Sequence, residues 1–462
     1  MHVDGRTMGA EETLEADVCI VGAGPAGLIL ASQLIGHGVN VAVLESGAGQ
    51  PDRAVLALNQ GSVVGDPYAG LAATRQRHLG GTTAIWNTPV QGEVGAKYVP
   101  LDPVDFEQRP GWELSGWPFA SDELAPYYTR ALTLCGLDAS TGDVPPAGSV
   151  DGRDFPPLAD PLVRGIYWFG TRHALLDASL AAIRGDPDSR ICTHATVMRL
   201  HADSSRGRVV DAIVGTPGGP RWRLRARRFV LAGGAIENAR LLLVSDDGGR
   251  GLGNESDWVG RCFMEHPRDT SLRFQPPGPE FYSRAACFDV HEDRGGIPVL
   301  GRIGLTASAL RSGEILNASG TLFPVIRSPL QTARAQLGRV AATRVGRSLI
   351  PAGGHGWSAF PFPRLGFDGM RVLLNVEQRP HPENRIRLAA NLDALGVPRA
   401  ELHWRWRPED QVRLERLRAV FAAGLEASGL GRVAIDGNSR IDPNAHHHAG
   451  TTRMHSDPEQ GV

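Results

Sequence analysis

The first 45 residues alternate between short apolar runs and one helically spaced stretch. Residues 16–21 form an apolar, β-favouring run that ends in a glycine-rich turn at residues 22–27. Residues 28–34 then carry apolar side chains at helical spacing and stop at two closely spaced glycines, and residues 39–44 form a second apolar run. This order predicts a strand, a helix and a second strand parallel to the first.

Further strands follow after an insertion. Residues 190–200 and 209–214 predict a β pair with a turn at residues 203–207. Residues 227–231 predict another strand, which runs into small residues and a helix over residues 232–240. Because a strand followed by a helix suits a parallel sheet, we expect this unit to return to the sheet that the N-terminal strands begin.

The pattern changes in the second half of the chain. Between residues 269 and 404, short β-like runs such as 372–376 and 385–388 alternate with loops, which predicts an antiparallel sheet. Residues 408–428 have the apolar spacing of an amphipathic helix. An arginine-bearing stretch at residues 331–349 predicts a further helix, with a solvated basic face favoured over one that binds a membrane or a partner.

An aromatic helix is predicted after Ser121. We expect Ser121 to be its N-cap, because a serine hydroxyl can bond the free N–H groups of the first turn, and two acidic residues follow it. Tyr127, Tyr128 and Leu132 would then form the apolar stripe that packs into the core.

Length and charge limit the possible classes of function. The chain has 462 residues, with 48 Lys plus Arg against 50 Asp plus Glu and a formal net charge of −2. Single cores stop growing near about 250–300 residues, so at least two lobes are expected. The near balance of charge gives no electrostatic basis for binding nucleic acid.

The sequence carries no obvious targeting signal. No apolar run reaches the length of a membrane span, and the N-terminus has acidic and small residues in place of a basic start and an apolar block. The five cysteines are scattered and none has CxxC spacing, so neither a disulfide framework nor a zinc site is predicted. We therefore expect a cytoplasmic protein without a membrane span.

The turn at residues 22–27 has the GxGxxG pattern between a predicted strand and a predicted helix. There Gly22 permits a tight turn, Gly24 lets a pyrophosphate approach the backbone, and Gly27 lets helix and strand pack closely. The free N–H groups at the helix start face the phosphates. Glu45 lies 18 residues beyond Gly27 and would accept hydrogen bonds from a ribose, while its charge would repel the 2′-phosphate of NADP.

A second glycine-rich loop occupies residues 75–87. It pairs Gly80 and Gly81 with two hydroxyl residues, Thr82 and Thr83, and can wrap a second flat or phosphorylated part of a cofactor. Two such loops tens of residues apart suit an extended dinucleotide, so FAD is favoured over NAD. The alternative is an NAD-dependent reductase built on the first unit alone, which leaves the second loop unexplained.

Four segments stand out in order along the chain. They are the 22–27 turn; Gly-Gly-Thr-Thr-Ala-Ile-Trp-Asn at 80–87; residues 232–240 with the later Gly-Arg-Cys-Phe-Met-Glu-His-Pro at 260–267; and His-His-His-Ala-Gly-Thr-Thr-Arg-Met at 446–454. Together they resemble the glucose–methanol–choline (GMC) family of flavin oxidoreductases, over nearly the whole chain. Ser-Gly-Trp-Pro at 115–118 and Leu-Ala-Pro-Tyr-Tyr at 124–128 resemble its sugar-oxidising branch, which includes pyranose oxidases and fructose or gluconate dehydrogenase large subunits.

The resemblance implies an α/β fold, α+β overall. A discontinuous Rossmann-like FAD-binding domain is expected beside a substrate domain with an antiparallel sheet and helices. On this basis the FAD-binding domain comprises residues 1–110, 187–266 and 437–462, and the substrate-binding domain with connecting segments comprises residues 111–186 and 267–436.

The resemblance also implies FAD as cofactor, with hydride transfer from an alcohol carbon to flavin N5 and a strand near Val197 lining the adenine. Some relatives link the flavin through a His just before the position of Trp86; this chain has Ile85 there, so noncovalent FAD is predicted. The predicted cofactor-binding residues are Gly22, Gly24, Pro25, Ala26, Gly27, Glu45, Ser46, Arg77, Gly80, Gly81, Thr82, Thr83, Ala84, Trp86, Asn87, Val197, Ala232, Gly233, Ala235 and Asn238.

Family enzymes place a catalytic His three residues before the Gly-Thr of the last motif, which by resemblance is His447. Alcohol oxidation releases a hydroxyl proton, and an imidazole with a near-neutral pKa is a suitable base. The alternative is that residues 446–448 form a metal-binding or incidental cluster. Adjacent side chains of a strand point in alternating directions and make a poor tetrahedral site, so no metal is predicted. His266 is expected to have a structural hydrogen-bonding role.

The predicted function is FAD-dependent oxidation of an alcohol group on a sugar, polyol or related small molecule, with oxygen or a carrier as electron acceptor.

Family members continue beyond a segment such as residues 457–462, with a tail that carries the last strand of the FAD domain and the partner of the catalytic His. Its absence predicts weak FAD binding and poor oxidation by these 462 residues alone. A truncated sequence, a split enzyme with a partner chain, and a decayed homologue all stay open, as do a half-site or non-catalytic subunit and a homo-oligomer.

Overall fold

The computed structural model describes residues 1–86, 88–90, 92–137, 155–245, 249–292, 296–326 and 356–462. The predicted arginine-bearing helix at residues 331–349 and the candidate residue Asn87 lie outside the described residues.

The strands are β1 (His2–Asp4), β2 (Thr13–Val21), β3 (Val41–Leu44), β4 (Gly61–Gly65), β5 (Thr88–Val90), β6 (Glu93–Tyr98), β7 (Leu162–Thr171), β8 (Ser189–Thr193), β9 (Thr196–Ala202), β10 (Val209–Gly215), β11 (Arg221–Leu231), β12 (Arg268–Phe274), β13 (His291–Glu292), β14 (Pro298–Leu305), β15 (Ala318–Ile326), β16 (Phe367–Val376), β17 (Arg385–Leu392), β18 (Pro398–Trp404) and β19 (Val433–Ile435). The α-helices are α1 (Pro25–Leu34), α2 (Arg53–Leu56), α3 (Ala125–Leu134), α4 (Ala178–Gly185), α5 (Gly234–Val244), α6 (Glu280–Arg284), α7 (Ala307–Arg311), α8 (Pro363–Gly366) and α9 (Pro408–Ala427).

A seven-stranded mixed sheet contains the N-terminal unit, in the order β1-β8-β3-β2-β11-β10-β9. Its first five strands run parallel, whereas β10 pairs antiparallel with both β11 and β9. All four residues of β3 are buried, as expected for a strand covered on both faces. The predicted return of the chain to this sheet is confirmed, because β11 pairs in parallel with β2.

The predicted continuous strand over residues 190–200 is wrong in one respect. The chain forms two strands there, β8 in the parallel part of the sheet and β9 beside β10. Between them His194 has φ of 49°, a left-handed conformation that ends one strand and redirects the next.

An antiparallel sheet forms the second layer, in the order β19-β12-β16-β15-β14-β7-β6-β5, with β13 paired to β14. Its apolar face packs on α9, which buries Leu414, Leu417, Phe421 and Leu425 against strand residues such as Leu374. The fold class predicted from the sequence, α/β with an antiparallel second sheet, is confirmed by this arrangement.

Two strand groups cross the domain boundaries drawn from the sequence. β5 and β6 lie within the predicted first FAD-domain segment, yet they extend the antiparallel sheet through β7. β18 lies within the predicted substrate domain and pairs in parallel with β4, which carries β17 into a three-stranded sheet beside α5. The strands therefore interleave the two lobes more closely than the sequence segments suggest, and the boundaries stay a prediction.

Helix α3 begins later than predicted and is not a core helix. Ser121 opens a short 3-10 turn, whereas α3 starts at Ala125 with Leu124 as N-cap and a proline in its first turn. Proline is favoured there because it has no N–H to leave unbonded. Tyr127 is 65% exposed, whereas Leu132 is partly buried against the core cluster that contains α1, so only part of the predicted apolar stripe reaches the core.

All five cysteines are free and buried, as the absence of paired spacing predicts. Among the described helices, none has both the length and the apolar character to cross a membrane.

Candidate active site

The carboxyl ends of β2, β3 and β11 meet at one edge of the parallel sheet, where the first glycine turn lies. Gly22 has φ of 107°, and a Cβ there would lie 2.7 Å from the carbonyl oxygen of Ala232. A Cβ on Gly27 would collide with the carbonyl oxygen of Gly22, so helix and strand touch at this point. A Cβ on Gly24, by contrast, would meet nothing within 4 Å. The turn therefore keeps open space at the N-terminus of α1, which starts with Pro25 followed by Ala26.

The second glycine loop packs directly on the first. Gly80 donates its N–H to the carbonyl of Ala23 at 2.8 Å. A Cβ on Gly81 would lie 3.0 Å from the Cα of Gly24. Thr83 is buried and donates its hydroxyl to the carbonyl of Gly80 at 2.6 Å, which fixes the 3-10 turn that begins there.

The other side chains of this loop are less completely buried than that of Thr83. Thr82, Ala84 and Trp86 are partly buried, and Trp86 packs against the core cluster that contains α1. The loop and the first turn therefore form one continuous glycine-lined wall, although the sequence separates them by more than fifty residues.

Glu45 ends the second parallel strand and is buried. Its two carboxylate oxygens accept the N–H groups of Ala23 at 3.0 Å and of Gly47 at 2.9 Å. Burial raises the pKa of this carboxyl, against the opposing effect of those two hydrogen bonds. Glu45 thus ties the glycine turn to the next strand end, a role that the ribose prediction did not include.

A buried ion cluster supports the same edge. Glu237 in α5 accepts from Arg75 and from Arg77, each at 2.5 Å, and Arg77 also donates to the hydroxyl of Ser46 at 2.7 Å. Burial opposes the charge of Glu237, but the guanidinium groups of Arg77, Arg75 and Arg240 outweigh it and hold its pKa well below the usual range. Glu237 was not singled out from the sequence.

The third group of predicted cofactor residues lies at the turn from β11 into α5. The side-chain oxygen of Asn238 accepts the N–H of Gly233 at 2.9 Å, and its amide donates to the carbonyl of Leu231 at 3.0 Å. Asn238 therefore fastens the turn itself. Ala235 presents a carbonyl that another segment binds, as described below.

Val197 lies partly buried in β9. Beside it, the hydroxyl of Thr196 is buried and has no hydrogen-bond partner within the described part of the chain. A buried hydroxyl without a partner is costly, so a ligand atom is a reasonable complement for it.

The residues at this edge fit an extended dinucleotide such as FAD. The open space over Gly24, its contact with Gly81 and the free hydroxyl of Thr196 are features that such a ligand would complete. The ordered N-terminus of α1 offers N–H groups to a pyrophosphate.

The last motif of the sequence, residues 446–451, is called the histidine segment here. Two backbone contacts hold it beside residues 260–264: Gly260 donates its N–H to the carbonyl of Thr451 at 2.8 Å, and Met264 and Ala449 form an isolated bridge. The buried hydroxyl of Thr451 donates to the carbonyl of Ala235 at 2.7 Å. The segment is therefore attached to the first turn of α5.

His447 and His266 form a ring pair within this arrangement. Their ring centroids are 4.6 Å apart, and Nδ1 of His447 contacts Nε2 of His266. His447 is open to solvent, whereas Nδ1 of His266 is buried with no partner among the described residues. A structural hydrogen-bonding role was expected for His266, and its ring contacts the predicted base, His447.

The surroundings of both imidazoles favour their neutral forms. Desolvation, the neighbouring ring of His447 and the charge of Lys97 lower the pKa of His266 to about 4. The pKa of His447 is lowered as well, by desolvation and then by Lys97. A neutral imidazole has one ring nitrogen with a free lone pair, which is what a proton acceptor requires.

Glu265 links the backbone of the histidine segment to a tyrosine. It accepts the N–H of His447 at 3.1 Å and the hydroxyl of Tyr68 at 2.5 Å. The same hydroxyl lies 2.9 Å from Nε2 of His448. Burial raises the pKa of Glu265 and lowers that of His448 to about 3. Glu265, which is buried, and the partly buried Tyr68 and His448 thus satisfy one another's polar groups and fix the position of His447.

Glu265, His446 and His448 also offer three ligand atoms that lie within 4.8 Å of one another. The prediction of no metal stays a prediction at this place. Tyr68 already bridges Glu265 and His448, which accounts for the closeness of two of the three groups without an ion.

Several residues of this site were missed by the sequence reasoning. Glu265 stands in a segment that the family resemblance singled out, but no role was assigned to it. Tyr68 and Lys97 lie in segments without any pattern of their own, and only the fold brings them to the histidines. No local signal could have found them, because their partners are about 170 to 380 positions away along the chain.

Comparison with known proteins agrees with this architecture. The profile of the family described as "FAD binding domain" matches residues 15–62. The chain is 23% identical to the fructose dehydrogenase large subunit of Gluconobacter japonicus, over 98% of this chain and 90% of that protein. It is 25% identical to paromamine 6'-oxidase of Streptomyces fradiae, over 96% of this chain and 83% of that protein. The solved structure of pyridoxine 4-oxidase from Mesorbium loti is similar in fold, with a TM-score of 0.50 and 19% identity over 96% of this chain and 90% of that chain.

The mixed parallel sheet with its glycine turns and the antiparallel second sheet define a two-lobed flavin oxidoreductase. Over nearly its whole length the chain is similar to FAD-dependent oxidoreductases of the glucose–methanol–choline family.

Proposed function

We propose that this chain oxidises an alcohol group of a sugar, polyol or related small molecule to a carbonyl, with noncovalent FAD as cofactor. One observation carries the proposal: Thr451 attaches the histidine segment to Ala235, so that the solvent-accessible ring of His447 belongs to the same structural unit as the turn from β11 into α5. A neutral imidazole beside a dinucleotide-binding edge supports proton removal coupled to hydride loss. FAD supplies the hydride acceptor when it is bound.

In this proposal His447 accepts the hydroxyl proton through Nε2. That nitrogen has no protein partner among the described residues, whereas Nδ1 contacts His266. Base function requires the tautomer in which Nδ1–H of His447 donates to Nε2 of His266, which leaves the lone pair of Nε2 toward the substrate. Glu265 holds the main chain of His447 and limits the movement of the ring.

The substrate class rests on the relatives. The names of the fructose dehydrogenase large subunit and paromamine 6'-oxidase point to oxidation of hydroxyl groups on sugars and aminosugars, and the match extends over nearly all of this chain. Oxygen or an electron carrier would remove the electrons from the reduced protein, and both are candidates.

Anaerobic mixing of the FAD-loaded protein with a panel of neutral and acidic sugars and polyols tests this function. We expect at least one of them to bleach the flavin absorbance, and oxygen and an artificial acceptor are then compared for reoxidation. Dithionite serves as a control for reducible flavin. Bleaching by dithionite without bleaching by any alcohol would contradict the proposed function.

The attachment of the flavin is tested separately. Ile85, the residue just before Trp86, is 49% exposed and has a hydrocarbon side chain that cannot form a bond to flavin. Acid precipitation should therefore leave a colourless pellet and a yellow supernatant. Flavin that remains with the pellet after denaturation would show a covalent link at another residue.

A further inference from the structure

Lys97 is the only lysine among the 462 residues, and its charge acts on both rings of the histidine pair. The sheet face that carries Lys97 is called the Lys97 wall. It belongs to β6, opposite Phe169 of β7, and its ammonium group lies 4.6 Å from the ring centroid of Tyr167. The residue is exposed to solvent, yet desolvation by surrounding protein lowers its pKa, with a second contribution from Arg268.

The strand register shows which residues share this wall. Tyr167 stands opposite Leu300, and Arg302 stands opposite Gly165, so these side chains emerge on the same face of the sheet as Lys97. A Cβ on Gly165 would lie 2.9 Å from Nε of Arg302, so the glycine makes room for the guanidinium group. That group is 5.9 Å from the ring of Tyr167. Two cations thus flank one aromatic ring.

The other face of the same strands is apolar. Ile166 and Trp168 alternate with Tyr167 along β7 and are buried in the core cluster that includes α1. On the face that carries Lys97, Tyr167, Phe169 and Leu300 form a separate, smaller apolar cluster.

The charges on this wall are incompletely neutralised. Arg268 pairs with Asp442 at 2.9 Å, and Arg302 lies 3.7 Å from Asp102, whose side chain is 53% exposed. Within the described ranges, no carboxylate lies within 4 Å of the Lys97 ammonium group. The cation nevertheless acts on both catalytic-site imidazoles, since its charge lowers the pKa of His266 and of His447.

We propose that Lys97, with Arg302 beside it, binds an anionic group of the substrate, so that the alcohol oxidised by this chain carries a carboxylate or a phosphate. An anion would recover the Coulomb energy that the desolvated ammonium group lacks. It would also leave the rest of the substrate within reach of His447. Positively charged substrates would be repelled by the same wall. This inference rests on the proposed function, but the anion site can be tested without it.

The first experiment uses the single lysine as a chemical reporter. The FAD-loaded protein is treated with an acetylating ester, with and without glutarate or inorganic phosphate, and the acetylated peptide containing Lys97 is measured by mass spectrometry. We expect a saturating anion to slow acetylation of Lys97 by roughly tenfold or more. Sodium chloride at equal ionic strength and the amine of Met1 are the controls, and neither should show the effect. Protection by glutarate alone or phosphate alone identifies the type of anion, and protection by neither overturns the inference.

The second experiment measures selectivity. Anaerobic flavin reduction is compared for glycerate and gluconate, each beside its amide, and for glycerol 3-phosphate beside glycerol. We expect the anionic member of the preferred pair to be favoured by roughly tenfold or more in kcat/KM. Lys97→Gln should abolish the preference mainly through KM, while Lys97→Arg should retain most of it.

Arg311→Gln is the matched control, because it removes one positive charge from an exposed pair with Glu107. Its anion preference should equal that of the parent. Equal reduction by acid and amide, without protection of Lys97, would overturn the anion site and leave alcohol oxidation standing. Protection of Lys97 without reduction by any alcohol would instead sustain the anion site and contradict the proposed function.

Discussion

The glycine-lined edge and the histidine segment are built in opposite ways. At the glycine edge the backbone itself forms the surface: Gly22, Gly27 and Gly81 each approach another main-chain atom so closely that a side chain would interfere. At the histidine segment the backbone serves mainly to hold side chains, and Glu265 and Tyr68 reach His447 and His448 from distant parts of the chain.

One structural unit joins the two regions. The turn from β11 into α5 contacts Gly22 through Ala232, and it accepts the hydroxyl of Thr451 through Ala235. A backbone surface suits a cofactor whose phosphates bind any N–H, whereas proton transfer needs particular side chains at defined positions. Substitutions at the glycine edge should therefore impair FAD binding or stability, and substitutions at the histidine segment should impair proton transfer. Each effect should occur without the other.

The largest effect is expected at the histidine end. His447→Ala should slow anaerobic flavin reduction by roughly 10²–10⁴-fold, the usual range for loss of a general base. FAD content should be unchanged, because the glycine edge is intact. His266→Ala is the companion variant, and we expect it to slow reduction less because it removes only the partner of Nδ1. Reduction at the parent rate in His447→Ala would show that another group takes the proton.

The second prediction separates the two roles of glycine at the other end. Gly27→Ala should destabilise the protein by about 1–3 kcal/mol, because its methyl group would collide with the carbonyl of Gly22. Gly24→Ala is the matched variant: its methyl group enters open space, so the free energy of unfolding without FAD should hold while FAD affinity falls. Denaturant unfolding and FAD titration measure both. Equal loss of stability in the two variants would contradict this division.

These two regions also differ in how far the sequence predicts them. The strand–helix–strand unit and its glycine turn could be foreseen because their determinants are adjacent in sequence and act through local backbone conformation. The resemblance pointed to His447, but not to Tyr68, Glu265 or Lys97, whose importance arises only when β6, residues 260–266 and the histidine segment meet. The exposed Tyr127 was misjudged for a related reason, since an apolar pattern does not reveal whether another element covers it.

Acid should destabilise the folded protein, and His448 in the histidine segment should contribute to that loss of stability. The pKa of His448 is lowered to about 3 by burial, so the unfolded chain takes up a proton near the ordinary value of 6.5 while the folded chain does not. The unfolded state then binds more protons, and stability should fall as the pH drops from about 6.5 toward 3, by at most about 1.4 kcal/mol per pH unit for this group.

His448→Gln should reduce that slope, and His173→Gln, at a histidine whose side chain is 69% exposed, should not. Urea unfolding at a series of pH values gives the slopes. The same slope in the parent and in His448→Gln would mean that other groups cause the acid sensitivity.

The smallest effect is expected from removing metal ions. Glu265, His446 and His448 have ligand atoms close enough to suggest a metal site, but the hydroxyl of Tyr68 bridges Glu265 and His448 at 2.5 and 2.9 Å. We therefore expect purified protein to contain no stoichiometric metal and flavin reduction to be unaffected by a chelator. Tyr68→Phe is the informative variant, because it removes the bridging hydroxyl and leaves all three ligands. Zinc binding by Tyr68→Phe but not by the parent would show that the hydroxyl keeps the site free of metal. The opposite result would be a metal in the parent protein whose removal slows flavin reduction and whose return restores the rate. The histidine segment would then be a metal centre, and its contrast with the backbone-built glycine edge as a metal-free site of proton transfer would be wrong.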